Sequence, residues 1–118
     1  EDEQLKFGRG YDHNFVLDAA ATGGFKQAAR VKEPITGRVL EAWTTEPGVQ
    51  FYAGNYLNTS KPGRCGRKYG PNEAFCLETQ FAPDSVNQPS FPDSVLRAGD
   101  KYDFTTVFAF DTDAEEEE

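Results

Sequence analysis

Residues 101–110 alternate without a break. Tyr102, Phe104, Thr106, Phe108 and Phe110 fall on one side; Lys101, Asp103, Thr105, Val107 and Ala109 fall on the other. Successive side chains of a strand point to opposite faces, so this period predicts a strand whose aromatic and β-branched face turns to a core. The same period recurs at 11–17, 25–31, 38–45, 49–55 and 75–81. Turn residues lie between these stretches: Thr22-Gly23-Gly24, Pro34-Ile35-Thr36-Gly37, Glu46-Pro47-Gly48 and Ala98-Gly99-Asp100. No stretch carries the apolar spacing of an amphipathic helix, and residues 1–9 read as an irregular lead-in. Many short strands without helical partners predict an all-β fold, an antiparallel β-sandwich. There is no internal repeat, phosphate-cradling glycine loop or nucleophile elbow.

Two loops interrupt the strands. Residues 58–72 hold three glycines and two prolines and form the segment expected to move most. Residues 83–92 hold three prolines, which fix φ and remove backbone donors, so this loop is expected to be neither helix nor central strand.

The formal charge of −8 over 118 residues is carried by the ends. Six of the 20 acids lie in the last eight residues; without these the balance is 12 bases against 14 acids. Dropping Glu1, Asp2 and Glu3 as well leaves 12 against 11, so the body is near neutral. Residues 111–118 read as an acidic disordered tail. The one basic cluster, Lys61, Arg64, Arg67 and Lys68, sits in a Gly- and Pro-containing loop, and no nucleic-acid surface is expected. No apolar run approaches membrane-spanning length and no signal-peptide pattern is present, so a cytoplasmic protein that does not engage membranes is expected. Cys65 and Cys76 make neither a disulfide framework nor a metal motif; two free thiols and no metal site are expected.

The segment 75–81 bears most directly on chemistry. Phe75, Leu77, Thr79 and Phe81 share one face; Cys76, Glu78 and Gln80 share the other. A carboxylate mid-strand, partly shielded from water, is suited to act as a general base; the plain alternative is a Glu on a solvated sheet face. Asp12 and Gln50 also project from strands and are candidates to converge with Glu78. Such groups suit a sugar, whose hydroxyls both donate and accept, with Tyr52 and Trp43 as candidate walls for its C–H faces.

Four stretches, in order, resemble the aldose 1-epimerase (galactose mutarotase) family. They are Gly10-Tyr11-Asp12-His13-Asn14-Phe15, Trp43-Thr44-Thr45-Glu46-Pro47-Gly48, Val49-Gln50-Phe51-Tyr52-Ala53-Gly54-Asn55, and Cys76-Leu77-Glu78-Thr79-Gln80 with Pro83-Asp84-Ser85-Val86-Asn87-Gln88-Pro89. The resemblance implies a longer domain on the mutarotase-like supersandwich, with residues 1–110 as its C-terminal portion. It implies interconversion of the α and β anomers of hexoses such as galactose and glucose, without metal or redox cofactor. Glu78 matches the general base; Asp12 and Gln50 match residues that bind the sugar. The family's catalytic histidines and an Asn-Arg sugar grip belong to motifs N-terminal to anything here. His13 matches a position beside the sugar-binding Asp, and alternation turns it away from Asp12, so a structural role is expected. Two other readings stay open: a non-catalytic carbohydrate-binding sandwich, and a hexose-6-phosphate epimerase using the basic loop.

Overall fold

The computed structural model describes residues 2–18 and 24–112. Thr22 and Gly23 of the expected turn, and residues 113–118 of the expected tail, lie outside that range. The described chain is nearly all β, with two antiparallel three-stranded sheets of the kind that build a β-sandwich. The strands are β1 (Asp12–Val16), β2 (Lys26–Lys32), β3 (Arg38–Thr44), β4 (Gly48–Tyr52), β5 (Cys76–Gln80) and β6 (Thr106–Thr112). One sheet has the order β1-β4-β5, the other β2-β3-β6. Among the described residues no helix is long and apolar enough to cross a membrane.

The chain divides into two compact units. The first comprises Glu1–Phe15 and Gln50–Glu78. It opens with a helix, α1 (Glu3–Gly8), where an irregular lead-in was expected. Asp2 caps it, accepting the Gln4 N–H at 2.8 Å, and Arg9 closes it in a left-handed conformation at φ 55°. At six residues the helix is too short to show a period; its signal lies in its caps. The 58–72 loop folds across itself, with the Thr59 N–H bonded to the Tyr69 carbonyl and the Tyr69 N–H to the Thr59 hydroxyl at 2.8 Å.

The second unit comprises Val16–Val49 and Thr79–Glu118. Strands β2 and β3 form a hairpin closed at Glu33, whose carboxylate accepts the N–H groups of Ile35 and Thr36, each at 2.8 Å, and the Thr36 hydroxyl. Among the described residues Val39, Ala42 and Val49 are the buried apolar side chains, and Thr44 is fully buried as well. The loop after β5 contains a 3₁₀ turn at Ser85–Asn87, which its prolines did not suggest. Asp84 precedes it with φ 63°, accepting side-chain N–H groups from Asn87 at 2.5 Å and Gln88 at 2.9 Å.

The expectation for residues 101–110 needs correction. The strand begins at Thr106 and runs through Asp111 and Thr112. At Thr105 the N–H donates to the Thr45 side-chain hydroxyl at 3.0 Å instead of a backbone carbonyl, which ends the ladder there. The expected core face is exposed: Tyr102, Phe104, Phe108 and Phe110 all remain open to solvent. Strand β6 stands at the sheet edge beside β3, and that face is covered only in part: Phe81 packs edge-on against Phe104 at 5.4 Å, and the Thr79 and Thr106 hydroxyls meet at 2.6 Å.

Candidate functional site

Asp12, Gln50 and Glu78 all belong to the first unit, on β1, β4 and β5. The Ala53 N–H bonds the Tyr11 carbonyl at 3.0 Å and the Leu17 N–H bonds the Pro47 carbonyl at 3.0 Å. These bonds fix an antiparallel register with Asp12 opposite Tyr52 and Asn14 opposite Gln50. Asp12 and Gln50 thus share a face as diagonal neighbours. Their side chains meet: Gln50 Nε2–H donates to Asp12 Oδ1 at 2.9 Å.

The other face of the same strands is aromatic. Tyr11 lies 5.4 Å from Phe51 and 6.4 Å from Phe15, centroid to centroid, and Phe51 lies 6.3 Å from Phe75. Phe75 immediately precedes β5, so alternation along that strand sets Leu77 with the aromatic rings and turns Glu78 to the side of Gln50 and Asp12. The aromatic packing therefore fixes the register, and the register decides where the polar groups emerge.

Of the two readings of Glu78, a shielded base and a carboxylate on a solvated face, the described residues give the second. Glu78 and Asp12 are exposed and Gln50 is half-buried. Trp43 belongs to the second unit, where its ring stacks on Phe25 at 6.0 Å and its Nε1–H donates to Glu41 Oε2 at 3.0 Å. Tyr52 holds the chain beyond β4, its phenol oxygen accepting the Tyr56 N–H at 3.0 Å.

His13 stands apart from the polar face. It packs edge-on against Tyr11 at 5.7 Å, and its Nδ1 accepts the Asp12 backbone N–H at 3.0 Å. Cys65 and Cys76 are free and exposed. In the basic loop Arg67 pairs with Glu73 at 3.3 Å and lies 5.6 Å from the Tyr69 ring centre, so it is already engaged. Chemically, an amide and two carboxylates on one strand face can bind vicinal hydroxyls and take a proton from one of them. Asn55, which is buried, entered the sequence reading only as the last residue of the stretch 49–55, with no role of its own.

Comparison with known proteins bears on the same residues. A family model described as aldose 1-epimerase matches residues 1–109. The chain is 52% identical over 101 residues to the galactose mutarotase of Homo sapiens, covering 86% of the chain and 29% of that protein. It is 50% identical over 101 residues to the galactose mutarotase of Mus musculus, with the same coverage of 86% and 29%. It is 39% identical over 112 residues to the aldose 1-epimerase of Escherichia coli, covering 93% of the chain and 32% of that protein. The chain thus spans about three-tenths of the length of these relatives.

Proposed function

The chain belongs to the aldose 1-epimerase family, and on that premise we propose that the protein carrying it interconverts the α and β anomers of hexoses such as galactose and glucose. Glu78 is the general base and takes the proton of the C1 hydroxyl. The electron pair of that O–H bond forms the C1 carbonyl as the C1–O5 bond breaks, and O5 receives a proton from a general acid. Rotation about C1–C2 and reclosure with the proton transfers reversed yield either anomer. Asp12 and Gln50 hold sugar hydroxyls so that C1 meets Glu78 in a reactive pose. His13 is not the acid, because alternation along β1 turns it to the aromatic face, where its ring packs edge-on against Tyr11, away from Asp12. A cytoplasmic setting, where exposed thiols stay reduced, belongs to the same reading.

The observation that carries this reading is the 2.9 Å bond from Gln50 to Asp12. It pre-assembles two sugar-binding groups from separate strands on the side to which Glu78 projects. Polarimetry of freshly dissolved α-galactose tests it: the protein accelerates relaxation to the equilibrium rotation well beyond buffer, and a rate equal to buffer refutes the proposal. For residues 1–118 taken alone, the position of His13 favours a second reading, sugar binding without turnover. Efficient relaxation by that chain alone would overturn it.

A further inference from the structure

We infer that Asn55 is a positioning residue for the sugar-binding carboxylate of Asp12, an inference that rests on the role proposed above for Asp12. Asn55 follows β4 and is only 6% exposed. Both hydrogens of its amide are used: Nδ2 donates to the Gly8 carbonyl at 3.0 Å and to the Tyr11 carbonyl at 2.9 Å. The Tyr11 carbonyl and the Asp12 N–H belong to one peptide group. Its oxygen also accepts the Ala53 N–H at 3.0 Å, and its N–H donates to His13 Nδ1 at 3.0 Å. The peptide plane leading into Asp12 is therefore held at both ends. That plane sets the direction of the Asp12 Cα–Cβ bond, and with it the reach of the carboxylate toward Gln50.

The surroundings are built to admit this amide. Gly10 has φ 135°, and a Cβ there would stand 2.5 Å from Asn55 Oδ1. Gly54 has φ 72°, and a Cβ there would stand 2.3 Å from the Ala74 carbonyl oxygen. Asn72, left-handed at φ 62°, donates from Nδ2 to the Ala53 carbonyl at 2.9 Å and approaches Asn55 Oδ1 at 3.5 Å. Two glycines and a left-handed asparagine thus let a buried amide reach the backbone immediately before Asp12. A general packing role would call for an apolar side chain at this depth, since burying an amide is costly unless all its bonds are made.

The test is a double-mutant cycle on galactose affinity, read by titration calorimetry on the protein that carries this stretch. Asn55→Ala weakens binding on the order of tenfold, the size seen when a partner that orients a ligand-holding group is removed. Asp12→Ala weakens it as well, and adding Asn55→Ala to Asp12→Ala produces less than about a twofold further loss, because the two act through one contact. Binding stoichiometry stays unchanged; a purely structural residue would lower the stoichiometry at constant Kd. Should Asn55→Ala not fold, Asn55→Ser, which keeps one donor, is read in the same cycle. Fully multiplicative losses, or an unchanged Kd in the Asn55 variants, overturn the inference. An Asp12→Ala protein that binds galactose like wild type refutes instead the sugar-binding role of Asp12.

Discussion

Replacing Thr44 by valine keeps shape and removes one hydroxyl from a fully buried point of the second unit. Thr44 is fully buried on β3, between its register partners Lys26 and Thr106. Its hydroxyl donates to the Thr105 carbonyl at 3.1 Å, accepts the Glu46 N–H at 3.0 Å and lies 3.1 Å from the Thr106 hydroxyl. The Thr105 carbonyl keeps a second donor, the Thr45 N–H at 3.0 Å. The Glu46 N–H has no such reserve and becomes a buried donor without an acceptor. A lost hydrogen bond costs about 1 kcal/mol and a stranded buried donor about 1–3 kcal/mol, so Thr44→Val destabilises by about 2–4 kcal/mol. For a chain of this size that lowers Tm by about 10 °C. Thr44→Ser is the counterpart: it keeps the hydroxyl and loses one buried methyl, for about 1 kcal/mol and about 4 °C. Differential scanning calorimetry of both variants decides the matter. A serine variant as destabilised as the valine variant would show that methyl packing, not the hydroxyl, secures β3.

Gly54→Ala forces a left-handed alanine against the Ala74 carbonyl oxygen at 2.3 Å and lowers stability by about 2–4 kcal/mol, read as a shift of the urea midpoint. Glu33 supplies a pH dependence. Its carboxyl is held below the usual range, first by the Thr36 hydroxyl and then by the Ile35 and Thr36 N–H groups. A lowered folded-state value means that stabilisation is present above the ordinary carboxyl range and lost as pH falls through the lowered value. The stability gap between wild type and Glu33→Gln is therefore expected to close on acidification; a gap independent of pH would contradict the turn geometry.

Period two carried most of the fold and the facing of two candidate site residues. Strand β3 was legible to within one residue, since 38–45 alternates and its neighbours end in turns. The shared face of Asp12 and Gln50 follows from the same alternation, because each strand here also presents aromatic side chains to the opposite face. The stretch 101–105 was misread for a local reason: its aromatic alternation continues past the point where the Thr45 hydroxyl replaces a backbone carbonyl. Exposure of Phe108 and Phe110 was not legible, because alternation states which side chains share a face but not what covers it. Helix α1 was hidden by its brevity, and Asn55 because its partners are carbonyls 44 and 47 residues away in sequence.

The central proposal is that Glu78 removes the proton of the C1 hydroxyl, and a comparison of two variants tests it most directly. Glu78→Gln is nearly isosteric and still bonds a hydroxyl, but it cannot take a proton. Asp12→Ala removes a grip on the sugar and leaves the base. Polarimetry across a galactose concentration series is expected to show Glu78→Gln losing about 10²–10⁴-fold in kcat with little change in KM, while Asp12→Ala raises KM at least as clearly as it lowers kcat. A Glu78→Gln protein that keeps more than about a tenth of the wild-type kcat, against that expected loss, would contradict the account and move the base to another residue.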